Sequence, residues 1–431
     1  MKLPRGLSIV LVEGGVFAAF SAVLGLMCAR HWGPELAGVT ALSFTIAALC
    51  AMVAQMGTDQ IVITRFVSEQ DPGRLVRAVL ALRALSSLLA LGGLAASTVV
   101  FAGSLGPWWM LPLLVFLQCL LSVADVLRLR AQALNSLHRQ SPWRIAAATL
   151  FFAIKLAVLV DEPAELSVWQ VAWLSLGESA VLLLISIVVS WRSDPWSGSP
   201  APAPEALRRE LATLARASLP LFAAGFAVTA FLRLDYFALA ELADSRQLGL
   251  YASSMRVLEL YLAVGNLALM QFLPELVRQH RESPRAYTSQ LRSSFGLAYA
   301  IGAGIVAINL LAGAPLIHWA LGPAYAPVAE ASTLLCLLAI PLLSGTVRGF
   351  AISIEGLHAH HLYCALLGLA LGVPLLAWLV PLHGFRGALW ADGITYVTTA
   401  MLSSLTFPAL RRIGLAQWWP CLGTAACRSR P

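Results

Sequence analysis

Residues 218–274 read SLPLFAAGFAVTAFLRLDYFALAELADSRQLGLYASSMRVLELYLAVGNLALMQFLP, two apolar segments joined by the short polar turn ELADSRQ. Each segment has about 22 to 25 residues, and at about 1.5 Å per residue that length crosses a hydrocarbon layer about 30 Å thick. Because both segments are long and apolar enough to span a bilayer, the stretch predicts a transmembrane helical hairpin.

Four charged residues lie inside the hairpin, namely Arg233, Asp235, Arg256 and Glu259. Helices that face lipid rarely carry charges, since each one at mid-depth costs at least about 2.5 to 3.5 kcal/mol. We therefore expect these side chains to face a hydrated cavity or, as the structural alternative, to form ion pairs between helices. Arg233 and Asp235 are two residues apart and do not share a helix face, so Asp235 needs a partner on another helix.

The composition of the whole chain agrees with the hairpin. Of the 431 residues, 59% are hydrophobic and 12% are charged, and the mean hydropathy is +0.77. These values predict an all-α polytopic membrane protein. The net charge of +7 comes from basic residues dispersed over short loops, so we expect no nucleic-acid partner.

The apolar segments number about twelve and form two groups of six. Residues 1–191 hold the first six helices, and residues 192–216 form a cytoplasmic linker that is rich in Pro and Ser and ends in an amphipathic helix. Residues 217–410 hold the second six helices, and residues 411–431 form a basic cytoplasmic tail. In the second group we expect helix 9 to end near Leu311, before an outer connection rich in Gly and Pro, and helix 10 to kink at Pro341.

The positions of the basic residues orient the chain. Most of the 29 Lys and Arg residues fall on the side that holds both termini, whereas the opposite side has only Arg30, Arg246 and Arg386. By the positive-inside rule, both termini are cytoplasmic and the number of helices is even.

A faint internal repeat relates the two groups of helices. GPELAGVTA (residues 33–41) opens helix 2, and DSRQLGLYA (residues 244–252) opens helix 8. Each places a Gly three residues before an Ala, which indicates a duplicated six-helix unit with a parallel arrangement of the repeats. The alternative is that small residues recur wherever membrane helices pack.

Other charges inside the predicted helices leave two interpretations open. Lys155 in helix 5 either lines a cavity or pairs structurally. Glu13 in helix 1 and Glu178 in helix 6 are candidates for relaying a coupling ion, or else are paired or protonated structural carboxyls. Arg83 lies near a cytoplasmic helix end, from which we expect its side chain to reach water. The histidines of residues 358–361 have no carboxylate or thiolate beside them, so we expect no metal site.

Two runs resemble a known family. LMCARHWGPELAGVTALSFTIAALCAMVAQMGTDQIVITRFV (residues 26–67) is similar to the opening of bacterial polysaccharide exporters of the O-antigen flippase type, with a Gly-Pro turn before helix 2. LRLDYFALAELADSRQLGLYASSMRVLEL (residues 232–260) is similar to their helix 7 and 8 hairpin, in which Arg-x-Asp precedes Gly-x-Tyr-x-x-Ala-x-Arg. These motifs are degenerate and are shared with the wider multidrug and oligosaccharidyl-lipid exporter superfamily.

The resemblance implies two lobes around a central cavity that moves an undecaprenyl-pyrophosphate-linked glycan outward across a bacterial inner membrane by alternating access. Arg233, Asp235 and Arg256 occupy the motif positions. Arginine suits this task because its planar guanidinium binds phosphate bidentately and stays charged, and H⁺ or Na⁺ coupling would need no other cofactor. The expected partners are the lipid-linked glycan, membrane lipids, and the polymerase and chain-length machinery of polysaccharide synthesis.

Two other functions compete with glycan export. A cation-coupled drug exporter of the same superfamily would rely on membrane carboxylates and an aromatic cavity rather than on arginines. A membrane glycosyltransferase or polymerase would need sizeable outer loops, whereas the predicted outer loops are only about 5 to 15 residues long. The chain also has no DxD, GxSxG, HExxH or P-loop pattern, so we expect no enzyme.

Overall fold

A computed structural model describes residues 5–59, 61–62, 65, 72–105, 111–123, 126–133, 137–193 and 204–420. These residues form helices and turns, with no strand among them. Nine of the helices in the described part of the chain are long and apolar enough to cross a membrane. One of the nine, Val12–Gln55, is 44 residues long and covers both predicted helices 1 and 2.

The chain divides into two compact units, residues 1–32 with 39–226, and residues 33–38 with 227–431. The helices that begin in the first unit are α1 (Arg5–Gln55), α2 (Pro72–Leu105), α3 (Leu111–Val123), α4 (Val126–Ala133), α5 (Ser141–Asp161), α6 (Ala164–Ser193) and α7 (Pro204–Phe231).

Helix α7 joins the predicted amphipathic linker helix and the start of predicted helix 7 into one continuous helix. Its N-terminal part contributes Leu214, which is 1% exposed and packs with Leu75, Val79 and Val126 in one apolar cluster. The linker helix is therefore packed against α2 and α4 along its apolar side, as its amphipathic pattern allows.

The helices that lie in the second unit are α8 (Leu234–Leu242), α9 (Ser245–Met270), α10 (Leu273–Glu282), α11 (Pro284–Leu321), α12 (Ala326–Glu330), α13 (Ser332–Leu337), α14 (Ala339–Ile354), α15 (His358–His383), α16 (Phe385–Val397), α17 (Ser403–Thr406) and α18 (Arg411–Trp418). A π-helical turn, Thr398–Leu402, lies between α16 and α17.

Proline has different effects in two helices of the second unit. The prediction that helix 9 ends near Leu311 is wrong, because α11 continues through Pro315 to Leu321. A proline removes only one backbone hydrogen bond, and the residues beyond it keep helical spacing, with Ile317 and Leu321 both buried. The helix expected to kink at Pro341 does break, but at Leu338, three residues before the proline, since α13 ends at Leu337 and α14 begins at Ala339.

A short segment of α1, Gly33–Gly38, belongs to the second unit. Gly33 has φ of 74°, which interrupts the helix there. The segment lies against the start of α9 so closely that a Cβ added at Gly249 would be 1.6 Å from the Pro34 carbonyl oxygen, and one added at Gly38 would be 2.0 Å from that of Ser245. Only glycine fits at Gly38 and Gly249, the two positions that the predicted repeat aligns with each other.

Candidate functional site

The predicted hairpin contains a helix break next to its first two charges. Helix α7 ends at Phe231, and α8 begins at Leu234 with Arg233 as the residue before it. Helix α9 then starts after Asp244, whose side chain accepts a hydrogen bond from the Gln247 backbone N–H at 2.7 Å. The break changes the direction of the Arg233 and Asp235 side chains relative to a continuous helix.

Asp235 finds partners on two other helices of the second unit. Tyr251 on α9 is fully buried, and its hydroxyl lies 2.6 Å from Oδ2 of Asp392 on α16. The same hydroxyl is hydrogen-bonded to Oδ2 of Asp235. Asp235 is 3% exposed and Asp392 is 7% exposed, so two buried carboxyl groups share one phenol.

The two hydrogen bonds that join Asp235, Tyr251 and Asp392 determine how many protons these three side chains must carry. A phenol has one O–H and can donate to only one carboxylate, so the second carboxyl must itself donate to the phenol oxygen. No Lys or Arg among the described residues lies within 4.0 Å of either carboxyl group. The arrangement Asp235–Tyr251–Asp392 is therefore complete only when it carries one proton in addition to that of the phenol.

The turn between α8 and α9 is attached to the start of α16. The Phe385 backbone N–H donates to Oε1 of Gln247 at 3.0 Å, directly after Gly384, which has φ of 57°. This contact brings α16 next to the hairpin and places Asp392, two turns further on, near Tyr251. Asp392, the second carboxyl group on the Tyr251 hydroxyl, is thus held near the hairpin by a contact across 138 residues of sequence.

The two arginines of the hairpin are partly buried and have no carboxylate partner within 4.0 Å among the residues that the structure describes. The Arg233 guanidinium lies over the Tyr236 ring, 5.4 Å from its centroid. Arg256 lies near Tyr325, where burial raises the pKa of the phenol to about 12 and the Arg256 charge acts in the opposite direction. In the part of the chain that the structure describes, no carboxylate oxygen is within 4.0 Å of either guanidinium. Glu259 is exposed.

Lys155 and Glu178 contact each other in the first unit. Nζ of Lys155 on α5 donates to Oε2 of Glu178 on α6 at 2.5 Å, and Lys155 is only 4% exposed. The pair joins two neighbouring helices and balances its own charge. This geometry agrees with structural pairing, one of the two interpretations that the sequence left open for each residue.

Glu13 lies in an ionic cluster of the first unit. It is 3% exposed and accepts hydrogen bonds from Nε of Arg144 at 2.9 Å and from Oγ of Ser141 at 2.5 Å. Arg128 is 3.7 Å away. Glu13 therefore ties α1 to the start of α5.

Arg83 does not reach water as expected. It is 4% exposed, pairs with Asp59, and donates from Nε to the Thr58 hydroxyl at 3.0 Å. The snorkelling prediction is wrong because the side chain finds these two acceptors just beyond the end of α1, which satisfy its donors within the protein.

Sequence reasoning missed two residues of the second unit. Asp392 falls inside predicted helix 12, and its charge within an apolar segment was the available signal. Arg348 is 7% exposed within α14. Its guanidinium donates to the Ser403 hydroxyl at 2.8 Å and to the Cys364 sulfur at 3.4 Å.

Solved structures define the class of fold. The chain aligns with the inward-facing conformation of a multidrug resistance MATE family transporter of the MOP superfamily, covering 93% of this chain and 95% of that one with a TM-score of 0.64 at 15% identity. It aligns with the lipid II flippase MurJ in an inward closed conformation, covering 94% of this chain and 90% of that one with a TM-score of 0.65 at 12% identity. The chain therefore has the all-helical polytopic membrane fold of these proteins, whose twelve helices form two lobes, as the sequence predicted.

A family model gives the family. The model described as polysaccharide biosynthesis protein matches residues 27–330, which is more than half of the chain, and the protein belongs to this family. No curated protein sequence matches the chain significantly. The resemblance seen in the two sequence runs is confirmed at the level of the family.

Proposed function

We propose that this protein flips an undecaprenyl-pyrophosphate-linked oligosaccharide from the inner to the outer leaflet of a bacterial cytoplasmic membrane. Membership in the polysaccharide biosynthesis family supports a glycan substrate, and the fold shared with a lipid II flippase supports a lipid-linked one. The observation that carries the proposal is the pair of partly buried guanidiniums, Arg233 and Arg256, which have no carboxylate oxygen within 4.0 Å among the described residues.

The uncompensated arginines match the chemistry of this substrate. A diphosphate and a sugar chain do not pass through hydrocarbon, so the protein must provide a hydrated cationic route while the lipid tail stays in the bilayer. Guanidinium groups bind phosphate oxygens bidentately at any physiological pH. An arginine already paired with a carboxylate would offer the substrate little additional binding.

We propose that a proton gradient drives this transport. Its support is the shared phenol, since Asp235, Tyr251 and Asp392 form their two hydrogen bonds only with one added proton. Loss of that proton leaves two buried carboxylates around one phenol, and their repulsion disfavours the present packing of α8, α9 and α16. A Na⁺ ion would need the same carboxyl oxygens of Asp235 and Asp392 that the Tyr251 hydroxyl occupies. This packing therefore favours H⁺ over Na⁺ as the coupling ion.

Surface glycan in a deletion strain tests the substrate. We expect Arg233→Ala and Arg256→Ala each to lower surface glycan about 10- to 100-fold with normal protein levels, because a hydrogen bond to a charged group contributes about 1.5 to 3 kcal/mol. Arg278→Ala is the matched control, since Arg278 is exposed and pairs with Glu275 at 2.7 Å on the same short helix. Full surface glycan in both hairpin variants would refute the proposal.

A drug exporter is the second candidate, favoured by the likeness to the MATE family transporter. The same strains separate the two functions. Glycan export predicts lipid-linked glycan accumulating inside the cell and unchanged drug sensitivity in the Arg233→Ala strain. Increased drug sensitivity with intact surface glycan would support the exporter instead.

A further inference from the structure

The short helix α18 follows directly on the last predicted membrane helix and is fixed to the second unit by one face. The Gln417 side chain is fully buried, and its Nε2 donates to the Ser344 hydroxyl at 2.7 Å and to the Ala400 carbonyl at 2.8 Å. A Cβ added at Gly414 would lie 2.6 Å from the Ser404 carbonyl oxygen, so the helix backbone touches α17. The expected basic tail thus begins as a docked helix.

The opposite face of α18 is apolar, aromatic and basic, and it is exposed. Leu415 is 42% exposed, Trp418 41% and Trp419 60%, and Arg411 lies on the same face one turn before Leu415. This face borders a cavity of about 680 Å³. The lining residues are Leu405, Thr406, Pro408, Arg411, Leu415, Trp418 and Trp419.

The two neighbouring arginines at the start of α18 differ in their partners. Arg412 donates to the Pro284 carbonyl at 2.9 Å and to the Thr288 hydroxyl at 3.0 Å. Arg411 has no carboxylate within 4.0 Å among the described residues, and it lines the cavity. Arg412 therefore holds the helix in place, while Arg411 is available to a ligand.

From this geometry we infer that the cavity beside α18 binds a phospholipid with an anionic headgroup from the surrounding membrane. The lipid phosphate pairs with Arg411, and the part of the acyl chain next to the headgroup packs along Leu405, Pro408 and Leu415. Tryptophans belong at the boundary between headgroups and acyl chains, where one edge is wet and the ring is apolar. The cavity volume is within the range of about 300 to 1,000 Å³ that small-molecule sites occupy.

A membrane lipid fits this surface better than a soluble partner does. The site follows immediately on a membrane helix, so a bilayer already covers its neighbourhood, and a basic side chain near the bilayer surface attracts anionic lipids. The inference goes beyond the proposed transport, because it concerns the lipid around the protein and is independent of which glycan is moved.

Lipid retention by the purified full-length protein tests the inference. The protein is equilibrated in mixed micelles with equal amounts of phosphatidylglycerol and phosphatidylcholine, and the retained lipids are counted by native mass spectrometry. We expect the wild type to retain phosphatidylglycerol preferentially and Arg411→Gln to lower that preference about fivefold, since a basic residue near the surface contributes about 1 kcal/mol to binding anionic lipid. Arg411→Lys, which keeps the charge, should retain most of it.

Two further variants separate charge from packing. Arg386→Gln removes another exposed arginine of the same unit, one that pairs with Glu330 at 2.6 Å, and should leave the preference unchanged. Trp418→Ala with Trp419→Ala should lower retention of both lipids and keep the preference for the anionic one. An unchanged preference in Arg411→Gln, or an equal loss in Arg386→Gln, would overturn the assignment.

Discussion

The two units treat buried charge in opposite ways. In the first unit, the buried ionic side chains Glu13, Lys155 and Arg83 each have a partner of opposite sign. In the second unit, two carboxyl groups share a phenol, and Arg233 and Arg256 have no carboxylate partner among the described residues. A balanced pair stabilises one packing of helices, whereas we propose that the unpaired charges of the second unit interact with a proton and with an anionic substrate.

Removing a carboxylate from the first unit should have the largest effect on stability. Glu13→Ala removes the carboxylate to which the buried Arg144 donates, and breaking a buried ion pair in this way costs about 3 to 5 kcal/mol. We expect a large fall in the thermal unfolding midpoint of the detergent-solubilised protein. An unchanged midpoint with altered proton transport would mean that Glu13 relays ions, and the comparison between the units would fail.

Removing the shared phenol should have the next largest effect. Tyr251→Phe keeps the ring against Tyr236, whose centroid is 5.4 Å away, but leaves Asp235 and Asp392 without their common partner. An unsatisfied buried polar group costs about 1 to 3 kcal/mol, so we expect a smaller loss of unfolding free energy than for Glu13→Ala. Tyr236→Phe is the matched control, and an equal loss there would remove the special role of Tyr251.

Replacing one carboxyl of the second unit by an amide should affect coupling more than stability. In Asp392→Asn the amide imitates the protonated carboxyl and still donates to the phenol oxygen, so stability should change by less than about 1 kcal/mol. Proton uptake during glycan flipping in liposomes should be lost, because one carboxyl and one phenol form their hydrogen bond without an added proton. Flipping that stays coupled to the proton gradient in Asp392→Asn would refute the shared-proton arrangement.

Replacing both partners of the Lys155–Glu178 pair should have the smallest effect. Exchanging a buried pair for apolar residues of similar size is often neutral or stabilising. We expect Lys155→Met with Glu178→Leu to keep both the unfolding midpoint and surface glycan within measurement error of the wild type. Loss of surface glycan in a stable double variant would instead place Lys155 in substrate binding.

Local patterns were enough to predict the membrane hairpin, and a partner for Asp235 on another helix was expected from the two-residue spacing to Arg233. That partner, Tyr251, lies only 16 residues further along the chain, but the second carboxyl group on its hydroxyl was not predictable, because Tyr251 and Asp392 meet across 141 residues of sequence. The burial of Arg83 was not predicted for a related reason. Its acceptors Thr58 and Asp59 follow α1, about 24 residues earlier in the chain. Periodicity locates a charge on a helix but does not identify the helix that faces it.

The segment Gly33–Gly38 comes from the N-terminal part of the chain but packs in the second unit. A fragment that began at residue 227 would lack this segment, and the start of its first long helix would keep a groove fitted to a backbone that is missing. The two units are therefore not two independent stretches of sequence. To fold by itself, a fragment that holds the second unit would need the segment Gly33–Gly38 attached to it.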